Sequence, residues 1–195
     1  MVIGITGPIG SGKTTVAKLF SKHRYNRIDA DEIAHQIIKK NSVAYKKIVE
    51  AFKDKVLDKN KGIDRKKLGD VVFNDDKQLK KLNSIMHPII LKKIKNQIKE
   101  IRNKCKEKTK IIIDAPLLLE TKTKSLVDKI VVVKIDTKNI LKRNKKYKKE
   151  KIEKILKAQM PLDEKIKHAD FVVDNNKNLK HLEKQVNNII KIIEK

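Results

Sequence analysis

Gly7-Pro8-Ile9-Gly10-Ser11-Gly12-Lys13-Thr14 stands between an apolar run, Met1–Thr6 (MVIGIT), and a segment, Gly12–His23, in which Val16, Leu19 and Phe20 share one helical face. The octet fits G-x-x-x-x-G-K-[ST], and strand before, helix after is the context that gives this pattern meaning. Its glycines let backbone N–H groups turn inward as an anion nest, and the following helix adds its positive end. Lys13 has the reach for β- and γ-phosphates, and the Thr14 hydroxyl suits Mg²⁺. The dinucleotide pattern G-x-G-x-x-G fails, because Gly10 and Gly12 would need Gly or Ala where Thr15 stands. The loop implies a nucleoside triphosphate and leaves open what receives the phosphate.

Outward from the loop, Tyr25–Ala30, Ile111–Ile113 followed by Asp114, Ile130–Ile135 and Phe171–Val173 read as four more strands. Helical patterns fill Lys138–Lys146, Glu150–Gln159 and a C-terminal stretch marked by Leu179, Leu182, Val186, Ile189, Ile190 and Ile193. Strands alternating with helices predict an α/β fold, a parallel sheet flanked by helices. Residues 31–108 read as helical throughout, with an apolar stripe from Leu79 to Ile101 interrupted at His87-Pro88, where a new helix starts or a kink forms. That block is too long for a crossover. It predicts one domain with a core of about 1–30 and 110–195 and an inserted helical substrate lobe of about 31–108.

Several polar residues carry candidate chemistry. Asp29 and Asp31 alternate at the end of the second strand pattern, which would put both on one face at the ligand crevice. They read equally as helix N-caps. In the functional reading Asp31 accepts the proton of an attacking hydroxyl and Asp29 helps hold Mg²⁺ through water. Asp114 ends its strand as a metal-supporting acid would, or as a turn residue before Pro116. His35 lies one helical turn after Asp31, with its role open, and His87 reads more readily as structural than catalytic. Glu120 suits a cap or a lysine partner. Arg143, in a basic run, reads as a solvated face or as a short lid, about 141–150, that brings charge over a transferring phosphoryl group.

Bulk features narrow the classes. Of 49 basic residues against 24 acidic, giving +25, only five are arginines, and the lysines spread along the whole chain. Base and bidentate phosphate recognition favours the arginine fork, so no specific nucleic-acid partner is expected. The charge should draw in anionic ligands in a salt-sensitive way. No run approaches the roughly 20 apolar residues of a membrane span. Cys105 is the one cysteine and the first lysine is Lys13, so neither a disulfide framework nor a secretory leader is expected, and the expected setting is cytoplasmic.

Taken together, GPIGSGKTT, IDADEIAH (28–35), IDRKKLGDVVF (63–73), IMHPII (85–90), DAPLLLE (114–120), LKR (141–143), ILKAQ (155–159) and ADFVVDNN (169–176) resemble the dephospho-CoA kinase family over nearly the whole chain. The resemblance implies a P-loop kinase core and ATP-dependent phosphorylation of the ribose 3′-hydroxyl of dephospho-CoA, the last step in making coenzyme A. It implies an ATP phosphate site at Gly10, Ser11, Gly12, Lys13, Thr14 and Thr15, a base at Asp31 and a lid arginine at Arg143. It implies substrate contacts from Asp31, His35, Arg65, His87, Leu117 and Leu118. Two departures stand out: Pro8 replaces a usual glycine, and the lid stretch is short, with Asn144-Lys145-Lys146-Tyr147-Lys148 where many members carry a second arginine. The other readings are a nucleoside or nucleotide kinase with a different acceptor, and an ATP-gated nucleic-acid-binding protein. Oligomeric state is not legible in the sequence.

Overall fold

The computed structural model describes residues 1–104, 109–143 and 148–195. Cys105 and the lid residues 144–147 lie outside the described residues. The chain divides into two units, Met1–Asp29 with Gln97–Lys195, and Ala30–Asn96.

The first unit is built on five parallel strands: β1 (Val2–Thr6), β2 (Asn26–Asp29), β3 (Ile111–Asp114), β4 (Lys129–Lys134) and β5 (Phe171–Asp174). Their order is β2-β3-β1-β4-β5. All five expected strands are present, each within a residue or two of its expected bounds. β1 and β3 are buried from end to end, which is why they read as unbroken apolar runs rather than alternating ones. Strand order reverses at β1: β3 and β2 lie to one side, β4 and β5 to the other. In open parallel sheets ligands bind at such a switch point, outside the carboxyl ends of the strands. The Gly7–Gly12 loop begins there.

Among the described residues, this unit also holds α1 (Lys13–Lys22), α6 (Thr137–Arg143), α7 (Lys149–Lys157), α8 (Leu162–Lys167) and α9 (Leu179–Ile193). The main core joins Ile3 and Ile5 of β1, Val131 and Val133 of β4, Val16 and Phe20 of α1, and Leu182, Val186 and Ile190 of α9. The 3.6-residue spacing in α9 therefore marks its packed face. Asn178 caps it, accepting from the His181 N–H at 3.0 Å.

The second unit is helical: α2 (Ala30–Ile37), α3 (Val43–Phe52), α4 (Arg65–Val72) and most of α5 (Asp76–Lys104). Ile48, Phe52, Val56, Leu68 and Val72 form its core, with Leu79, Leu82, Ile85 and Met86 packed on it. Ser42 caps α3 through the Tyr45 N–H at 3.0 Å. Asp64 caps α4 through the N–H groups of Lys66 and Lys67 at 2.8 and 3.1 Å. Those backbone hydrogen bonds hold the Asp64 carboxyl below its ordinary range. α5 runs without a break through Pro88, so no new helix starts at His87-Pro88. Proline removes one backbone donor, and the apolar stripe that packs Leu82, Ile85 and Met86 outweighs that loss. Among the described residues no helix is long and apolar enough to cross a membrane.

Candidate active site

Glycines give the loop its shape, two of them in the left-handed region. Gly10 and Gly12 take φ of 73° and 88°, a region costly for any residue with a Cβ. Gly12 is the N-cap of α1 and supplies no side chain to it, so the first N–H groups of the helix remain directed at the loop with the positive end of the dipole. The Pro8 carbonyl accepts from the Ser11 N–H at 3.1 Å and from Lys13 Nζ at 3.0 Å. Lys13 is thus folded over its own loop and nearly buried, at 8 % exposure. Ser11 is fully buried, and its Oγ has no hydrogen-bond partner. Thr14 and Thr15 are exposed. A helix N-terminus with no side-chain cap, a lysine donating to a carbonyl of the loop and an orphaned hydroxyl together suit an oxyanion.

Beside the loop, Thr14 Oγ donates to Asp114 Oδ2 at 3.2 Å. Asp114 is thus tied to the first turn of the helix that follows the loop. Hydroxyl and carboxylate oxygens are the hard donors that Mg²⁺ takes, so this pair fits such an ion. Asp29 and Asp114 are register partners on β2 and β3. Arg27 lies between them, its Nη2 at 2.5 Å from Asp29 Oδ2 and 2.6 Å from Asp114 Oδ2. The expectation that Asp29 and Asp31 share one strand face does not hold. β2 stops at Asp29, and Asp31 lies in the first turn of α2, where acidic residues suit the helix dipole.

In the helical unit Asp31 is exposed at the start of α2. His35, one turn further on, is in hydrogen-bond contact with the Arg65 guanidinium, so the structure brings these two together. His87 is half-buried in α5. In the sheet unit Leu117 is half-buried. Leu118, expected at the substrate, is instead fully buried, its methyls filling the space over Gly4 of β1. It belongs to the core because β1 offers no side chain at that point. Arg143 ends α6, exposed, with Nη2 at 3.4 Å from the Lys177 carbonyl.

A model of the dephospho-CoA kinase family matches residues 1–181. A dephospho-CoA kinase from Fusobacterium nucleatum is 44% identical over 190 residues, covering 95% of each chain. The chain belongs to the dephospho-CoA kinase family. It is a phosphotransferase with the ATP-using P-loop fold. Among solved structures, a Thermus thermophilus protein superposes with a TM-score of 0.80 at 27% identity, covering 99% of this chain and 97% of that one. The dephospho-CoA kinase of Campylobacter jejuni gives a TM-score of 0.68 at 30% identity, covering 98% and 96%.

In this dephospho-CoA kinase family member, two residues that the sequence left without a role reach the phosphate loop, and Glu120 meets the lysine partner expected of it. Gln159, in ILKAQ, accepts from the Ile9 N–H at 3.2 Å. Asn175, in ADFVVDNN, donates from Nδ2 to the Ser11 carbonyl at 2.7 Å, while its backbone N–H bonds Lys134 O at 2.9 Å. Both therefore brace the phosphate loop from far along the chain. Glu120, in DAPLLLE, accepts from Lys165 Nζ at 2.6 Å and from the Met160 N–H at 3.0 Å. Lys165 is fully buried and also donates to the Pro116 carbonyl at 2.9 Å. That carbonyl accepts from Thr6 Oγ at 3.0 Å as well, so the segment after β3 is tied to the last residue before the loop.

Proposed function

We propose that this chain transfers the γ-phosphoryl group of Mg²⁺-bound ATP in line to the ribose 3′-hydroxyl of dephospho-CoA, with Asp31 as the base. The observation that carries the reading is the loop between β1 and α1, with Lys13 over it and the Thr14–Asp114 pair beside it. A triphosphate entering the loop offers Lys13 charged oxygens, which attract its ammonium more strongly than the neutral Pro8 carbonyl does. The backbone nest takes up charge on the β- and γ-phosphates, where phosphoryl transfer needs it most. Thr14 would hold the metal ion, Asp114 would orient the Thr14 hydroxyl, and the ion supplies neutralisation of the phosphate charge. Asp29, expected to support the ion through water, enters this reading only through its bond to Arg27.

Asp31 orients the 3′-hydroxyl and takes its proton as the new P–O bond forms. The His35–Arg65 pair and His87 bind the acceptor. Arg143 closes over the phosphoryl group as a lid residue. Both substrates are polyanions, and a net charge of +25 favours their capture at low salt. The setting we propose is a reducing cytoplasm, in keeping with one cysteine in 195 residues. The test is Asp31→Asn, which keeps the shape and removes the base. It should lower kcat by about 10²–10⁴-fold and leave both KM values within about threefold. A kcat near that of the wild type would refute the base assignment.

A further inference from the structure

Two carboxylates face each other beside the phosphate loop, and the chain itself supplies the cation between them. Asp29 and Asp114 are partners in the β2–β3 register, and neighbouring strands lie about 4.8 Å apart. The Asp114 side chain is 5% exposed and that of Asp29 31%. Left alone, two like charges so placed and so poorly hydrated would repel or recruit a cation. One nitrogen, Arg27 Nη2, sits 2.5 Å from one carboxylate and 2.6 Å from the other. It stands where a bridging divalent ion would stand. The guanidinium is a planar, delocalised cation whose fork of N–H donors matches carboxylate geometry. The Asp114 oxygen that meets Arg27 is also the one that accepts from Thr14. Arg27 therefore reaches the phosphate loop through a single shared atom.

We propose that Arg27 is a positioning residue that acts as a built-in counter-cation. It holds Asp114 against Thr14, keeps divalent ions out of the space between β2 and β3, and so makes divalent-ion binding depend on the nucleotide. The inference rests on reading Thr14 and Asp114 as the metal side of the site.

The probe is Mn²⁺, followed through the electron paramagnetic resonance signal of the free ion, with nucleotide-free protein. The wild type should bind Mn²⁺ only weakly. Arg27→Gln, shown to be folded by circular dichroism, should bind one Mn²⁺ per chain at least tenfold more tightly. Adding Asp29→Asn to that variant should remove the gain. Arg27→Lys, which restores a positive charge, should return binding to the wild-type level. A second measurement does not depend on the Gln variant folding: Asp29→Asn alone should leave wild-type Mn²⁺ binding unchanged. Equal Mn²⁺ binding by the wild type and Arg27→Gln would overturn the inference. So would tight binding by the wild type that Asp29→Asn abolishes. The underlying metal reading has its own check by calorimetry. Mg²⁺ should tighten ATP binding to the wild type and not to Thr14→Ala, whatever Arg27 does.

Discussion

Lys165→Met should be among the most damaging single changes in the sheet unit. Its ammonium is fully buried and donates to Glu120 Oε1 at 2.6 Å and to the Pro116 carbonyl at 2.9 Å. Methionine fills nearly the same volume, so the loss is electrostatic rather than steric. Removing one member of a buried pair costs about 3–5 kcal/mol, because the other is left buried and uncompensated. Glu120 keeps its bond from the Met160 N–H, which points to the lower end, about 3 kcal/mol. With a urea slope of about 2 kcal/mol/M, the unfolding midpoint should fall by about 1.5 M. Replacing both residues, Lys165→Met with Glu120→Leu, removes the orphaned charge. It leaves the Met160 N–H without its acceptor, at a cost of about 1 kcal/mol. The double variant should therefore recover most of the loss, within about 0.5 M of the wild type. Circular dichroism across a urea series reads all three. A shift below about 0.5 M for the single variant, or a double variant no better than the single, would refute the reasoning.

Other perturbations probe other parts of the account. At Gly12, φ is 88°, and an added Cβ would lie 2.3 Å from Asn175 Nδ2. Gly12→Ala should weaken ATP binding at least tenfold by calorimetry, and Asn175→Ala should relieve only the clash, since the strained backbone remains. Asp170 ties down the start of β4, accepting from the Ile130 N–H at 2.8 Å and from Lys129 Nζ at 2.9 Å. Burial pushes its carboxyl up, but these bonds outweigh that and leave it below its ordinary value. A depressed carboxyl stabilises the fold above its unfolded pKa, near 4, and that stability is lost as pH falls through the lower folded value. Asp170→Asn should therefore lower the melting temperature at pH 6, and the gap should close below about pH 4. A gap that widened in acid would contradict the sign.

The phosphate loop and all five strands were legible in the sequence because each is a local pattern. A glycine-rich octet between an apolar run and an amphipathic one needs no tertiary information. Asp31 was read at the end of a strand, whereas it lies in the first turn of α2. The alternation of two aspartates looks the same in both settings until the helix start is known. What the sequence hid is long-range. Gln159 and Asn175 reach the loop across 150 and 164 residues, and no periodicity marks them. Lys165 lies in LDEKIK, a segment the sequence reading passed over, and nothing distinguishes it from the other lysines. Arg27 had one faint signal, an arginine two places before an aspartate on a strand, where side chains i and i+2 share a face. The burial of Leu118 was hidden for a related reason: it depends on the missing side chain of Gly4, on β1.

The central claim is the transfer of phosphate to dephospho-CoA, and the direct measurement is the product. Purified protein with Mg-ATP and dephospho-CoA should yield coenzyme A by mass spectrometry, with the new phosphate at the ribose 3′ position by ³¹P NMR. Nucleoside monophosphates offered in parallel should remain unphosphorylated. Loop-bound ATP with no coenzyme A formed, or faster transfer to a nucleoside monophosphate, would contradict the account.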